Sequence, residues 1–204
     1  MNDREYSRIV TGFTYDGRYL DDCFLVCIHN SLRNLSQRTG IGDFEVSQKE
    51  IRSAAHYKPV GYYNLDALIR YLDNIMGPYG YKSRIKSKPD MTLDELLRIL
   101  SISNCSFPII SVGWNYFLLQ NARLKPDSND PIDHAIIVME IDPTGQEITI
   151  FDPMEKQLCK SSNMSDFHRR LPLPKVIKHW ERSVFSPRWC MWFEKRAEQR
   201  LLEV

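Results

Sequence analysis

The sequence predicts an α+β fold in which one apolar helix near the start packs on an antiparallel sheet. Three observations carry that expectation. Over residues 22–35, Phe24, Leu25, Cys27, Ile28, Leu32 and Leu35 supply a wide apolar face, as a central buried helix requires. The runs H-A-I-I-V-M-E-I and E-I-T-I-F, joined by D-P-T-G-Q, read as two strands of a hairpin over 134–141 and 147–151. The short apolar run 107–112, bounded by Pro108 and Gly113, reads as a buried strand.

Each element has a local reason. Residues 1–20 are polar and aromatic and read as an extended lead-in. Asp22 is placed to cap the first helix, and Asp21 adds negative charge at its positive end. After the loop T-G-I-G-D, a short helix is expected over 47–55. A longer one spans 65–76, with Asn64 as cap, Gly77-Pro78 as stop, and Leu65, Leu68, Ile69, Leu72 and Ile75 on one face. Residues 79–85 alternate weakly and suit an edge strand. Thr92 and Glu95 have the spacing of a capping box opening a helix to about residue 100. Residues 114–133, ending in K-P-D-S-N-D-P-I-D, read as a surface loop beside the site developed below. The tail holds Phe185 and a cluster at Trp189, Trp192 and Phe193, followed by a charged helix; Trp189 and Trp192 read as packing residues, with a partner surface as the alternative. The expected organisation is a single domain over 1–204, with a core at about 20–155 and a C-terminal extension at about 156–204.

Composition narrows the function. An apolar fraction of 43% over 204 residues supports a real core. A formal net charge of +1, with no basic run, gives no sign of a nucleic-acid partner. The N-terminus M-N-D-R-E-Y-S-R is too charged for a secretory signal. The longest apolar stretch, F-P-I-I-S-V-G-W-N-Y-F-L-L, is too short and broken to span a membrane. Five irregularly spaced cysteines without a C-x-x-C pair argue against a disulfide framework. A reducing, cytoplasmic location is the expectation, and a secreted effector without a cleavable signal would have the same composition.

The chemistry lies in the order of three residues. Cys23 opens the first helix, His134 heads a strand, and Asp152 closes the next. The nucleophilic form of cysteine is the thiolate, whereas a free thiol holds its proton to about pH 8.5. A helix N-terminus, with unpaired N–H groups and a positive dipole end, favours the thiolate. An imidazole takes the thiol proton, and a carboxylate fixes the imidazole tautomer. With the turn near Thr144, strand partners should have numbers summing to 287–289, which brings His134 and Asp152 to the same end of the ladder. Diagonal neighbours there are roughly 7–8 Å apart at Cα, within reach of a side-chain hydrogen bond. Pro153 cannot donate to the ladder, so the strand is expected to end where the carboxylate is needed. Asp133 is the competing orienter. Cys27, one turn on along the same face, reads as a core position and is the competing nucleophile. His29, His56, His168 and His179 lack a partner pattern and read as surface or structural. A zinc site on Cys23, Cys27 and His134 would lack a fourth ligand, and cysteines four apart are not a usual zinc pair.

The segment D-C-F-L-V-C-I-H-N-S-L resembles the D-C-G-x-A-C-L-A-M segment of the bacteriocin-processing, double-glycine-leader peptidases. L-D-E-L-L-R-I-L, F-P-I-I-S-V, D-H-A-I-I-V and I-T-I-F-D-P follow in the family's order, so the resemblance covers about residues 20–155. It implies a papain-like cysteine peptidase fold without metal or other cofactor. It also implies Cys23 as nucleophile, His134 as base, Asp152 as orienting acid, and a peptide or protein substrate. The chain departs from the pattern at two places. Gly17 stands where the family carries a glutamine that donates to the oxyanion hole, and Phe24 replaces the glycine after the nucleophile. Tyr19 or a backbone amide is the candidate substitute donor; Tyr19 and Trp114 are taken as substrate-side residues. No attached transporter is present in these residues. The readings open at this stage are peptide-bond hydrolysis through an acyl-enzyme, glutamine deamidation or acyl transfer by the same triad, and a non-catalytic binding module.

Overall fold

The computed structural model describes residues 23–58, 64–113, 133–153, 168–183 and 186–196. Helices α1 (Cys23–Thr39), α2 (Gln48–Ala54) and α3 (Leu65–Met76) come first, followed by β1 (Tyr81–Lys86) and α4 (Leu93–Ser101). Then come β2 (Ile109–Gly113), β3 (Asp133–Ile141), β4 (Glu147–Phe151), β5 (His168–Pro172), α5 (Leu173–Trp180) and β6 (Cys190–Lys195). The fold is α+β. The six strands form one antiparallel sheet in the order β1-β6-β2-β3-β4-β5. Among the described residues no helix is long and apolar enough to cross a membrane.

Strand alternation divides the core in two. Ile109, Ala135, Ile137, Met191 and Phe193 face a cluster built with α1, α2 and α3. Ile110, Ile136, Val138, Cys190 and Trp192 face the cluster of α4 and α5. The sheet is therefore covered on both sides, which makes β2 and most of β6 continuous apolar runs.

Local chemistry sets the ends of the elements. Asn64 accepts the Ala67 N–H at 3.0 Å, and α3 gives way to a 3-10 turn at Gly77–Tyr79. Ser47 and Glu50 form a reciprocal capping box on α2. At α4 the box is one-sided. Thr92 Oγ1 accepts the Glu95 N–H at 3.1 Å, but the Glu95 carboxylate binds Lys86 and Arg98 instead. Helix α1 runs one turn beyond its apolar pattern, because Arg38 reaches the carbonyls of Cys105 and Ser103 at 2.9 and 2.7 Å.

The β3–β4 register matches the arithmetic from the sequence. Ile137 pairs with Phe151 and Val138 with Ile150, and the register shifts by one before Glu140 pairs with Thr149. Asp142 holds the turn: its Oδ1 accepts the N–H groups of Gln146 and Glu147 at 2.8 and 3.0 Å, and Gly145 takes φ +67°.

The tail is a correction to the expected C-terminal extension. Strand β6 lies between β1 and β2, so it belongs to the sheet. It and α5 were not anticipated, although Leu173, Val176, Ile177 and Trp180 do follow a helical period. Trp189 and Trp192 are buried packing residues. The charged stretch beyond residue 196 lies outside the described residues.

Gly113 ends β2 under the backbone: a Cβ there would sit 2.7 Å from the Arg182 carbonyl oxygen. Backbone cannot rotate aside as a side chain can. Gly113→Ala is therefore expected to cost about 1–3 kcal/mol, read as a lower urea midpoint with an unchanged m-value.

Candidate active site

Cys23, His134 and Asp152 come together where α1 meets the open end of the β3–β4 hairpin. Cys23 is the first residue of α1 and is half-buried. His134 and Asp152 are 1% and 0% exposed. His134 Nε2 lies 2.8 Å from Asp152 Oδ1. A carboxylate only accepts, so Nε2 carries the proton and donates. The Cys23 side chain lies close enough to the ring to act on its charge and raise its pKa. The ring is thus used in the opposite sense to the serine-protease triad, where Nδ1 meets the acid.

Three effects set the imidazole's charge. Burial is the largest and acts to lower its pKa. The Asp152 charge, then the Cys23 charge and the hydrogen bonds to both, outweigh burial and hold the pKa well above its ordinary value, at about 10. This favours an imidazolium at neutral pH, the partner a thiolate requires.

The sheet adds a feature that has no signature in the sequence. Val138 N–H turns toward β2 and donates to the Pro108 carbonyl at 2.9 Å. Alternation then turns the polar groups of Ile137 and Ala135 toward β4. Strand β4 reaches Ile137 through Phe151, its last paired residue. In the same register Pro153, which has no N–H, would stand opposite Ala135. Helix α1 supplies the missing partners: Ala135 N–H donates to Cys23 Sγ at 3.4 Å, and Cys27 Sγ–H donates to the Ala135 carbonyl at 3.4 Å. Two thiols one helical turn apart thus satisfy the two polar groups of a single residue.

Phe24 also has a physical role here. Its ring packs edge-on against Trp189 with centroids 5.4 Å apart, which ties the start of α1 to the approach to β6. The positive end of the α1 dipole is the described candidate for stabilising a developing oxyanion. Gly17, Tyr19, Asp21, Asp22 and Trp114 lie outside the described residues, as do Cys159 and all of the expected 114–133 loop except Asp133.

The remaining sites are accounted for more simply. His29 Nδ1 donates to the Val46 carbonyl at 2.8 Å, and burial lowers its pKa. His179 is buried on α5, and its pKa is likewise lowered by burial. Among the described residues no group of three or more His, Cys, Asp and Glu side chains is arranged to hold a metal ion.

The chain matches no family model and no curated protein.

A pH dependence follows from the imidazole. Its pKa rises on folding from about 6.5 to about 10. The stability it contributes is therefore complete below pH 6.5 and is lost as pH rises through about 10. Asp152→Asn keeps a hydrogen-bond acceptor but removes the charge. Urea unfolding of both proteins should show wild type more stable near pH 6.5, with the gap narrowing toward pH 10. A gap independent of pH would mean that the carboxylate does not set the imidazole's proton affinity.

Proposed function

We propose that this protein is a thiol-dependent hydrolase of the papain-like kind that cleaves an amide or peptide bond through an acyl-enzyme. The observation that carries this reading is a partly buried cysteine at the start of α1 whose Sγ accepts the Ala135 N–H, next in sequence to an imidazole held by a buried carboxylate. A core cysteine needs no such partner, and a structural histidine needs no thiol.

The residues then divide the reaction. The Cys23 thiolate attacks the substrate carbonyl carbon, and the carbonyl electron pair moves onto oxygen. The positive end of the α1 dipole stabilises that oxyanion. As the tetrahedral species collapses, the C–N bond breaks and the leaving amine takes a proton from the His134 imidazolium. A water then attacks the thioester, neutral His134 accepts its proton, and the C–S bond breaks. The acid is released with the thiolate–imidazolium pair restored. Asp152 holds one ring orientation throughout and stabilises the positive imidazole.

The same triad attacks a side-chain carboxamide equally well, and the leaving group then is ammonia. The nature of the product distinguishes the two: a new N-terminus marks peptide cleavage, whereas ammonia release with an intact chain marks deamidation.

Two outcomes are expected. Limited alkylation with iodoacetamide, read by peptide mass spectrometry, should label Cys23 ahead of the buried Cys27, Cys105 and Cys190. Turnover of a peptide library should disappear in Cys23→Ala and fall by roughly a hundredfold to ten-thousandfold in His134→Ala. Labelling without turnover of any peptide or carboxamide substrate would favour the non-catalytic binding module.

A further inference from the structure

We infer that Cys27 is a positioning residue for the Cys23 nucleophile, acting through the backbone of Ala135; the inference rests on the hydrolase reading above. The geometry is a closed circuit. Cys27 donates its S–H to the Ala135 carbonyl at 3.4 Å, and the Ala135 N–H donates to Cys23 Sγ at 3.4 Å. That N–H belongs to the peptide unit joining Ala135 to His134, the residue carrying the imidazole. The Ala135 carbonyl lies in the next peptide unit, across the same Cα, so a donor held on it restrains the backbone that presents the N–H to the nucleophile's sulfur.

The circuit exists because β4 stops at Phe151. One more ladder pair would have engaged the Ala135 N–H from β4 and left it unavailable to the thiol. Asp152, instead of continuing that pairing, serves His134.

The two sulfurs have opposite parts. Cys23 accepts, and an N–H donor favours a thiolate over a thiol. Cys27 donates, so it must keep its proton. Its surroundings enforce this: it is fully buried, and burial, Cys23 on its own helix and Asp152 beyond β4 all raise its pKa well above the ordinary value. His134, on β3, is the other titratable group of the cluster. Two cysteines on one helix face thus have distinct parts, one accepting an N–H and the other donating its S–H.

A simple packing role for Cys27 makes a different prediction, and two substitutions separate them. Cys27→Val keeps an apolar side chain and removes the donor. Cys27→Ser keeps a donor and loses apolar contact. The measurements are the rate of Cys23 alkylation by iodoacetamide between pH 5 and 10, and the melting temperature. His134→Ala supplies the rate of an unassisted thiol.

The positioning role predicts that Cys27→Val slows Cys23 alkylation about tenfold at neutral pH and moves its pH midpoint upward, with little loss of melting temperature. Cys27→Ser should recover most of that reactivity while melting lower. The inference is overturned if Cys27→Val matches wild type in rate and midpoint, or if reactivity in the two variants simply follows melting temperature. If wild-type Cys23 reacts no faster than in His134→Ala, the hydrolase reading fails first and this inference falls with it.

Discussion

The hydrogen bond between His134 and Asp152 joins two groups that the core would not tolerate singly. Moving an isolated carboxylate out of water costs far more than one ordinary hydrogen bond returns. Here burial is almost complete on both sides, and the imidazole accepts a proton because the carboxylate is there. The rest of the architecture brings these groups to one place. Asp142 locks the turn, the turn fixes the register, and the register delivers both residues to the same end of the hairpin. A register slip of one residue would send one partner to the opposite face of the sheet.

Helix α1 completes that end with backbone chemistry as well as packing. Its apolar side fills the larger core with Ile28, Leu32 and Leu35, and its thiols engage Ala135 where the strand ladder has run out. An interrupted β-ladder ordinarily leaves polar groups to water or to a side chain. In this protein the interruption is occupied by the residue proposed to attack the substrate. Structural need and chemical opportunity coincide on the same N–H.

Much of this was legible in the sequence wherever a local signal existed. Helix α3 follows its apolar period and Asn64 cap to the residue. The β3–β4 register could be obtained by arithmetic, because the turn D-P-T-G-Q is short and has Gly at the position needing positive φ. The meeting of Cys23, His134 and Asp152 was accessible because each lies within one residue of an element's end. Strand β6 was not legible: Cys190 and Trp192 face one core while Met191 and Phe193 face the other, so burial erases the alternation. Helix α5 is short, with Pro172 at its cap and Pro174 within its first turn, which disguises its period. The circuit through Ala135 was invisible for a different reason. It uses main-chain atoms, and their availability depends on where a neighbouring strand stops.

The place of β6 has a consequence for how the chain acquires its structure. Strand β1 joins the sheet only through β6, with six residue pairs, while β6 meets β2 through two. The junction is extended by Ser106, whose N–H donates to the Phe193 carbonyl at 2.8 Å, and by the bridge between Cys105 and Glu194. These contacts span eighty or more positions of sequence. Their loop-closure entropy must be met before the contacts return any stability, which slows folding. The contact between Phe24 and Trp189 lies on the same late-closing seam. The start of α1 is therefore buttressed only once residues near position 190 have docked, and a nascent chain lacking them would carry the thiol without its finished setting.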